Sequence, residues 1–213
     1  MDEIFFNKLK ERVLPYFKGI DPAHDFMHTE RVMNTALKIA NEEDVDLEIV
    51  RVSVLLHDIG RKVENKTNGR VCHAEKGVEL AKQILKDFNY SEDKIEKVCH
   101  CIGTHRSRKN KVPESIEARI LFDADKIDGM GAIGVGRFFH VSGRIGSLVH
   151  NSDKNIVNSE EYGEHDCAYR EFLIKQGVID RMTTKIGRKI AIERWEFMKG
   201  FFERLNKEVE GEL

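Results

Sequence analysis

Apolar residues return every three or four positions through most of this chain, and that period permits helices and little else. Val32, Met33, Ala36, Ile39 and Ala40 mark one helical face, and Gly77, Val78, Ala81, Ile84, Leu85 and Phe88 mark another. Ile95, Val98, Cys99 and Ile102 repeat the pattern behind Ser91, which stands where an N-cap is expected and is followed by acidic Glu92 and Asp93. Ala118, Leu121, Phe122 and Asp125 make a further stripe. Ile186, Ile190, Ile192, Trp195, Met198, Phe201, Phe202 and Leu205 predict a long amphipathic C-terminal helix. The stretch from Leu47 to Ile59 is ambiguous, because its Val-rich run has strand propensity. Its length and the lack of a partner strand pattern predict a buried helix with Gly60 as its C′ residue.

Three segments read as irregular: Arg61 to Arg70, Arg106 to Pro113, and Gly143 to Gly163. Gly129, Gly131, Gly134 and Gly136 match neither GxGxxG nor GxxxxGK[ST], so close helix packing or a loop is expected there in preference to a phosphate cradle. There is no internal repeat and no linker between two cores. The chain therefore reads as one all-α domain.

Composition narrows the function classes. A 40% hydrophobic content over 213 residues supports a real core and excludes a disordered chain. A net charge of −2 leaves no footprint for nonspecific nucleic-acid binding, and no apolar run is long enough to span a membrane. The acidic start, Met1-Asp2-Glu3, lacks the basic opening of a signal peptide. A cytoplasmic protein is expected, with Cys72, Cys99, Cys101 and Cys167 as free thiols. Cys99-His100-Cys101 looks like a metal cluster, but helix positions two apart diverge by about 200°, so no site is expected there.

The nine histidines carry most of the chemistry. Three His-Asp pairs occur. His165-Asp166 lies in a polar stretch, and Asp25 of His24-Asp25 is placed to cap the helix running to Ala40. His57-Asp58 ends an apolar segment, and a buried imidazole beside a buried carboxylate is costly unless paired or bound to metal. His28 lies one turn before Val32, and Asp125 shares a face with Ala118 and Leu121. His28, His57, Asp58 and Asp125, aimed inward from three helices, make a mixed nitrogen and oxygen set. Such a set suits Mn²⁺, Fe²⁺, Co²⁺ or Ni²⁺ better than Ca²⁺, with Mg²⁺ admissible. Four protein ligands on an octahedral ion leave two positions open, a catalytic arrangement. The competing reading is a set of satisfied core histidines with a capping aspartate.

The runs His24-Asp25-Phe26-Met27-His28-Thr29-Glu30-Arg31-Val32, Leu55-Leu56-His57-Asp58-Ile59-Gly60 and Phe122-Asp123-Ala124-Asp125-Lys126-Ile127-Asp128 resemble the HD-domain superfamily of metal-dependent phosphohydrolases. The resemblance extends from Asp21 to Arg137 and looks closest to small stand-alone bacterial and archaeal members, some of which hydrolyse nucleotides. It implies a single helical HD domain over residues 1–213, with a core at 21–137 and C-terminal helices over 164–210 packing on it. It implies that His28, His57, Asp58 and Asp125 bind a divalent metal. His73 and His105 are implied to contact phosphate, assist the leaving group or bind a second metal, and His24 or Asp25 to serve the substrate. His100, His140 and His150 take no role.

The expected function is hydrolysis of a nucleotide or related small phosphate by metal-activated water, with Asp58 as ligand and proton acceptor. Arg61 and Lys126 are the expected phosphate contacts, and Lys62 reads as surface charge. The basic run from Arg106 to Lys111 is a solvated loop or reaches a polyphosphate. The alternatives are a phosphodiesterase on cyclic nucleotides or nucleic-acid ends, and a nucleotide-binding protein without catalysis. The apolar face of the C-terminal helix suits its own core or a second subunit, so a homo-oligomer stays open.

Overall fold

The computed structural model describes residues 3–106, 111–159 and 167–213. Among these it has ten α-helices and no strand, as the apolar period requires. The chain divides into two compact units, Met1–Asp125 and Lys126–Leu213. The pair His165-Asp166 and most of the Arg106–Lys111 run lie outside the described residues.

The first unit holds α1 (Glu3–Val13), α2 (Phe26–Ala40), α3 (Leu47–Leu56), α4 (Arg61–Lys66), α5 (His73–Asp87), α6 (Glu92–Thr104) and α7 (Ile116–Asp128) up to Asp125. At its centre is α3, packed against α2 and α6. Val50, Val52, Val54, Leu55 and Leu56 are all buried, so packing on several sides overrides the strand propensity of the valines. Side chains start α2 and α3. Asp25 Oδ1 accepts the His28 N–H at 3.0 Å, and Asp46 accepts from Glu48 and Ile49. Ser91 occupies the N-cap position of α6, but its hydroxyl makes no capping bond.

Two expectations change here. The segment Arg61 to Lys66 is a helix, although Val63 is its sole apolar residue and no stripe betrays it. Gly60 is not a left-handed C′ residue. The helix stops at Leu56, and Gly60 takes a right-handed conformation as the N-cap of α4. It is glycine because α5 crosses it closely. A Cβ there would lie 2.2 Å from the His73 carbonyl oxygen and 2.7 Å from the Gly77 nitrogen. That crossing brings the first residue of α5, His73, against the His57–Gly60 turn.

The second unit holds α8 (Gly131–Ile145), α9 (Ala168–Ile179) and α10 (Lys185–Glu210). Phe172 stacks on Trp195 at 4.5 Å and on Phe202 at 4.6 Å, joining α9 to α10. Ile190, Trp195, Met198 and Phe202 are buried as predicted, whereas Ile192 and Phe201 face outward. Within the glycine cluster Gly134 serves packing, since a Cβ there would lie 2.5 Å from the Gly129 carbonyl oxygen.

Gly60→Ala is expected to destabilise the protein by about 1–3 kcal/mol, through overpacking against backbone that cannot yield. Gly136→Ala meets open space in α8 and is expected to be neutral or stabilising, by up to about 1 kcal/mol. Urea unfolding of the two variants checks both, and equal stability would mean that the α5 crossing relaxes freely.

Candidate metal centre

The turn after α3 sets the centre of the first unit. His57 is the C-cap of α3, and Asp58 follows it before α4 begins. Both side chains are fully buried. Around Asp58, α2 supplies His28, α5 supplies His73, the end of α6 supplies His105, and α7 supplies Asp125.

The two oxygens of Asp58 face different donors. Toward Oδ2 lie His28 Nε2 and His57 Nε2, each 3.8 Å away. Those nitrogens are 3.3 Å apart, and Asp125 Oδ1 is 3.4 Å from the first and 3.9 Å from the second. Toward Oδ1 lie His73 Nε2 at 3.3 Å and His105 Nε2 at 3.8 Å, with 3.0 Å between the two imidazole nitrogens. The expected tetrad of His28, His57, Asp58 and Asp125 is thus assembled, and His73 and His105 join it through Asp58. All six residues are buried except Asp125, which keeps some exposure and is the edge of the group nearest solvent.

The tautomers decide what these nitrogens do. His57 Nδ1 lies 2.7 Å from the Val54 carbonyl, and His105 Nδ1 lies 2.6 Å from the Ile102 carbonyl. A carbonyl can only accept, so in each ring the Nδ1 proton is spent on backbone and Nε2 carries a lone pair. His73 Nδ1 is tied to Glu64 Oε2, which leaves its Nε2 in the same state. Burial pushes the pKa of His57 and His73 down and that of His105 well below its usual value, so the rings are neutral at pH 7. Lone pairs therefore face one another at 3.0 Å between His73 and His105. Two acceptors at that distance repel unless a cation lies among them. Donors about 2.1 Å from a shared ion stand roughly 3.0–3.5 Å apart at the usual angles; four of these eight separations lie in that range and the other four are at 3.8–3.9 Å. The chemistry and spacing of both sets fit a divalent ion.

Charge around the turn is held by arginines. Burial alone would raise the Asp58 carboxyl, but the Arg61 guanidinium beside it holds it well below the usual range. Arg61 donates from Nη2 to Oδ1 at 3.0 Å and from Nε to Oδ2 at 3.2 Å, a fork on one carboxylate. The expected phosphate contact is thus engaged with Asp58. No sequence motif marks Glu64, and Arg106, the first residue of the expected basic run, pairs with it instead. Glu64 accepts from His73 Nδ1 on Oε2 and from Arg106 Nη1 on Oε1 at 2.5 Å, and these bonds outweigh burial to lower the Glu64 carboxyl to about 2. The one sequence signal for Glu64 is its place three residues after Arg61, one turn along α4.

The remaining expected residues are distributed around this group. The half-buried His24 ring packs edge-on to His28 at 5.7 Å. Lys126, the next residue of α7, opens the second unit and is partly exposed. Lys62 donates to the Lys18 carbonyl on the surface. Cys99 points to the Val78 carbonyl, Cys101 is buried with its thiol pushed up to about 12, and His100 accepts the Glu114 N–H. These three residues thus form no cluster. His150 bonds Asn206 in the second unit, and His140 is exposed there.

Residues 25–130, which include all six donors, match the HD domain family. The chain is 31% identical over 193 residues to the uncharacterized protein YpgQ of Bacillus subtilis, covering 88% of this chain and 85% of the relative. The structure of YpgQ in complex with ADP superposes with a TM-score of 0.74 at 27% identity, over 97% of this chain and 95% of that one. A predicted HD superfamily hydrolase from an uncultured Thermotogales bacterium has a TM-score of 0.68 at 28% identity, over 98% and 99%. Ribonuclease Y of Treponema denticola is 34% identical over 112 residues, which are 53% of this chain and 20% of that protein. A match that encloses every donor, and a relative aligned along most of the length, establish that this chain belongs to the HD-domain superfamily.

Proposed function

We propose that this protein is a metal-dependent phosphohydrolase acting on a nucleotide or a related small phosphate. The observation that carries the reading is Asp58, buried between two sets of potential metal donors. His28, His57, Asp125 and one oxygen of Asp58 would hold one ion. His73, His105 and the other oxygen of Asp58 would hold a second. A bound divalent ion supplies a water acidified toward neutral pH and positive charge against phosphate oxygens. The nucleotide class is supported by the ADP bound to YpgQ.

The chain's own residues fit that role. Arg61 keeps Asp58 ionised, so Asp58 acts as a holder of charge and is a poor proton acceptor. Val54 and Ile102 fix the His57 and His105 rings with Nε2 inward. His73 and His105 are neutral and face each other, which suits them as ligands better than as acids toward a leaving group. His24, half-buried beside His28, would meet the phosphate. A second reading, phosphodiester cleavage, draws on the match to ribonuclease Y, although the chain spans a fifth of that protein.

The test is a screen of nucleoside mono-, di- and triphosphates and a short RNA, with Mn²⁺ or Co²⁺ added to chelator-treated protein. Phosphate or pyrophosphate is expected from a nucleotide, and Asp58→Asn is expected to keep the fold and lose at least about 10²-fold in turnover. Shortened RNA without nucleotide turnover would favour the phosphodiesterase. No product from any substrate would end the enzyme reading.

The buried charge gives a second test. Arg61→Met leaves Asp58 unpaired and is expected to cost about 3 kcal/mol or more in metal-free protein. Mn²⁺ is expected to restore much of that stability, because the cation takes over the compensation. Melting curves with and without Mn²⁺ read this, and an unchanged melting temperature in the metal-free variant would contradict it.

A further inference from the structure

His57, His105 and His73 all present Nε2 to the centre, but they are fixed by different means. The first two use backbone carbonyls three residues earlier, which no substitution of a side chain removes. His73 is the first residue of α5 and uses a side chain, the carboxylate of Glu64 on α4. Glu64 is itself buried and gripped from its other oxygen by Arg106.

We infer that Glu64 is a positioning residue: by holding the Nδ1 proton of His73, it fixes the tautomer whose Nε2 lone pair faces Asp58 and His105. The inference rests on the reading of the two donor sets as metal positions. Its physical basis is a competition for one nitrogen. Arg106 Nη1 stands 3.1 Å from His73 Nδ1 as well as 2.5 Å from Glu64 Oε1. With Glu64 present, the carboxylate takes both protons, one from each donor. Without it, Arg106 donates to Nδ1, the ring proton moves to Nε2, and that N–H donates to Asp58 Oδ1, 3.3 Å away. The lone pair that completes the second donor set is then gone. The first set, His28, His57, Asp125 and Asp58 Oδ2, contains neither His73 nor Glu64 and keeps its donors, because the new bond is made to the other oxygen, Oδ1. Glu64 thus decides whether the centre has one position or two, without touching either.

The tautomer can be read without metal. Long-range ¹H–¹⁵N spectra of the chelator-treated protein, with His73 assigned through His73→Gln, are expected to show Nδ1 protonated in the wild type and Nε2 protonated in Glu64→Leu. Glu64→Gln, whose amide oxygen still accepts, is expected to keep the wild-type tautomer. A wild-type His73 protonated on Nε2 would overturn the inference whether or not the leucine variant folds, and so would an unchanged tautomer in Glu64→Leu.

Titration with Co²⁺, followed by its visible absorption, supplies a second readout. The wild type is expected to take up two equivalents. Glu64→Leu is expected to bind one of them at least about tenfold more weakly and the other unchanged. Two equivalents of unaltered affinity in Glu64→Leu would overturn the role of Glu64. If the wild type takes up no Co²⁺ at all, it is the metal reading that fails, and the tautomer spectra alone decide for Glu64.

Discussion

The placement of one carboxylate governs this molecule. Asp58 has no exposed surface, yet it stays charged among four imidazoles and a second aspartate. A lone buried carboxylate would cost the fold several kcal/mol. Here the Arg61 fork offsets that cost from one side, and the imidazoles occupy the rest. Charge is balanced there, but the inward lone pairs of His73 and His105 oppose each other. His73 Nε2 and His105 Nε2, each with its Nδ1 proton spent elsewhere, face each other at 3.0 Å. A divalent cation resolves that repulsion, and the site is best understood as built for one.

The fold explains how donors so far apart in the chain converge. Central α3 delivers His57 and Asp58 at its end, with α2 and α6 packed on it. Glycine at position 60 lets α5 approach within backbone contact of the turn, so that His73 arrives beside Asp58. A larger residue would push α5 outward and open the second donor set. Stability of the packing and geometry of the site therefore share the same few atoms, and a substitution at the crossing is felt in both.

Much of this is legible in the sequence. The period of apolar residues marks most of the helices, and the inward faces of His28 and Asp125 follow from it. The His57-Asp58 pair is marked by the apolar run that precedes it, and resemblance to a known family joins the four. What is not legible has physical causes. The α4 helix contains a single apolar residue, so no periodicity reveals it. Glu64 and Arg106 are charged residues in polar stretches, which ordinarily means solvent; only the approach of α4, α5 and the end of α6 buries Glu64 and half-buries Arg106. Gly60 looks like a helix stop because the residue type is right for one. A close crossing asks for the same residue, and the chain gives no sign of which demand applies.

The central claim is that Asp58 stands between two positions for a divalent ion. Anomalous scattering from crystals grown with Mn²⁺ tests it most directly. Two peaks are expected, one among His28, His57, Asp58 and Asp125 and the other among Asp58, His73 and His105. Crystals saturated with Mn²⁺ that show no peak beside either oxygen of Asp58 would contradict it.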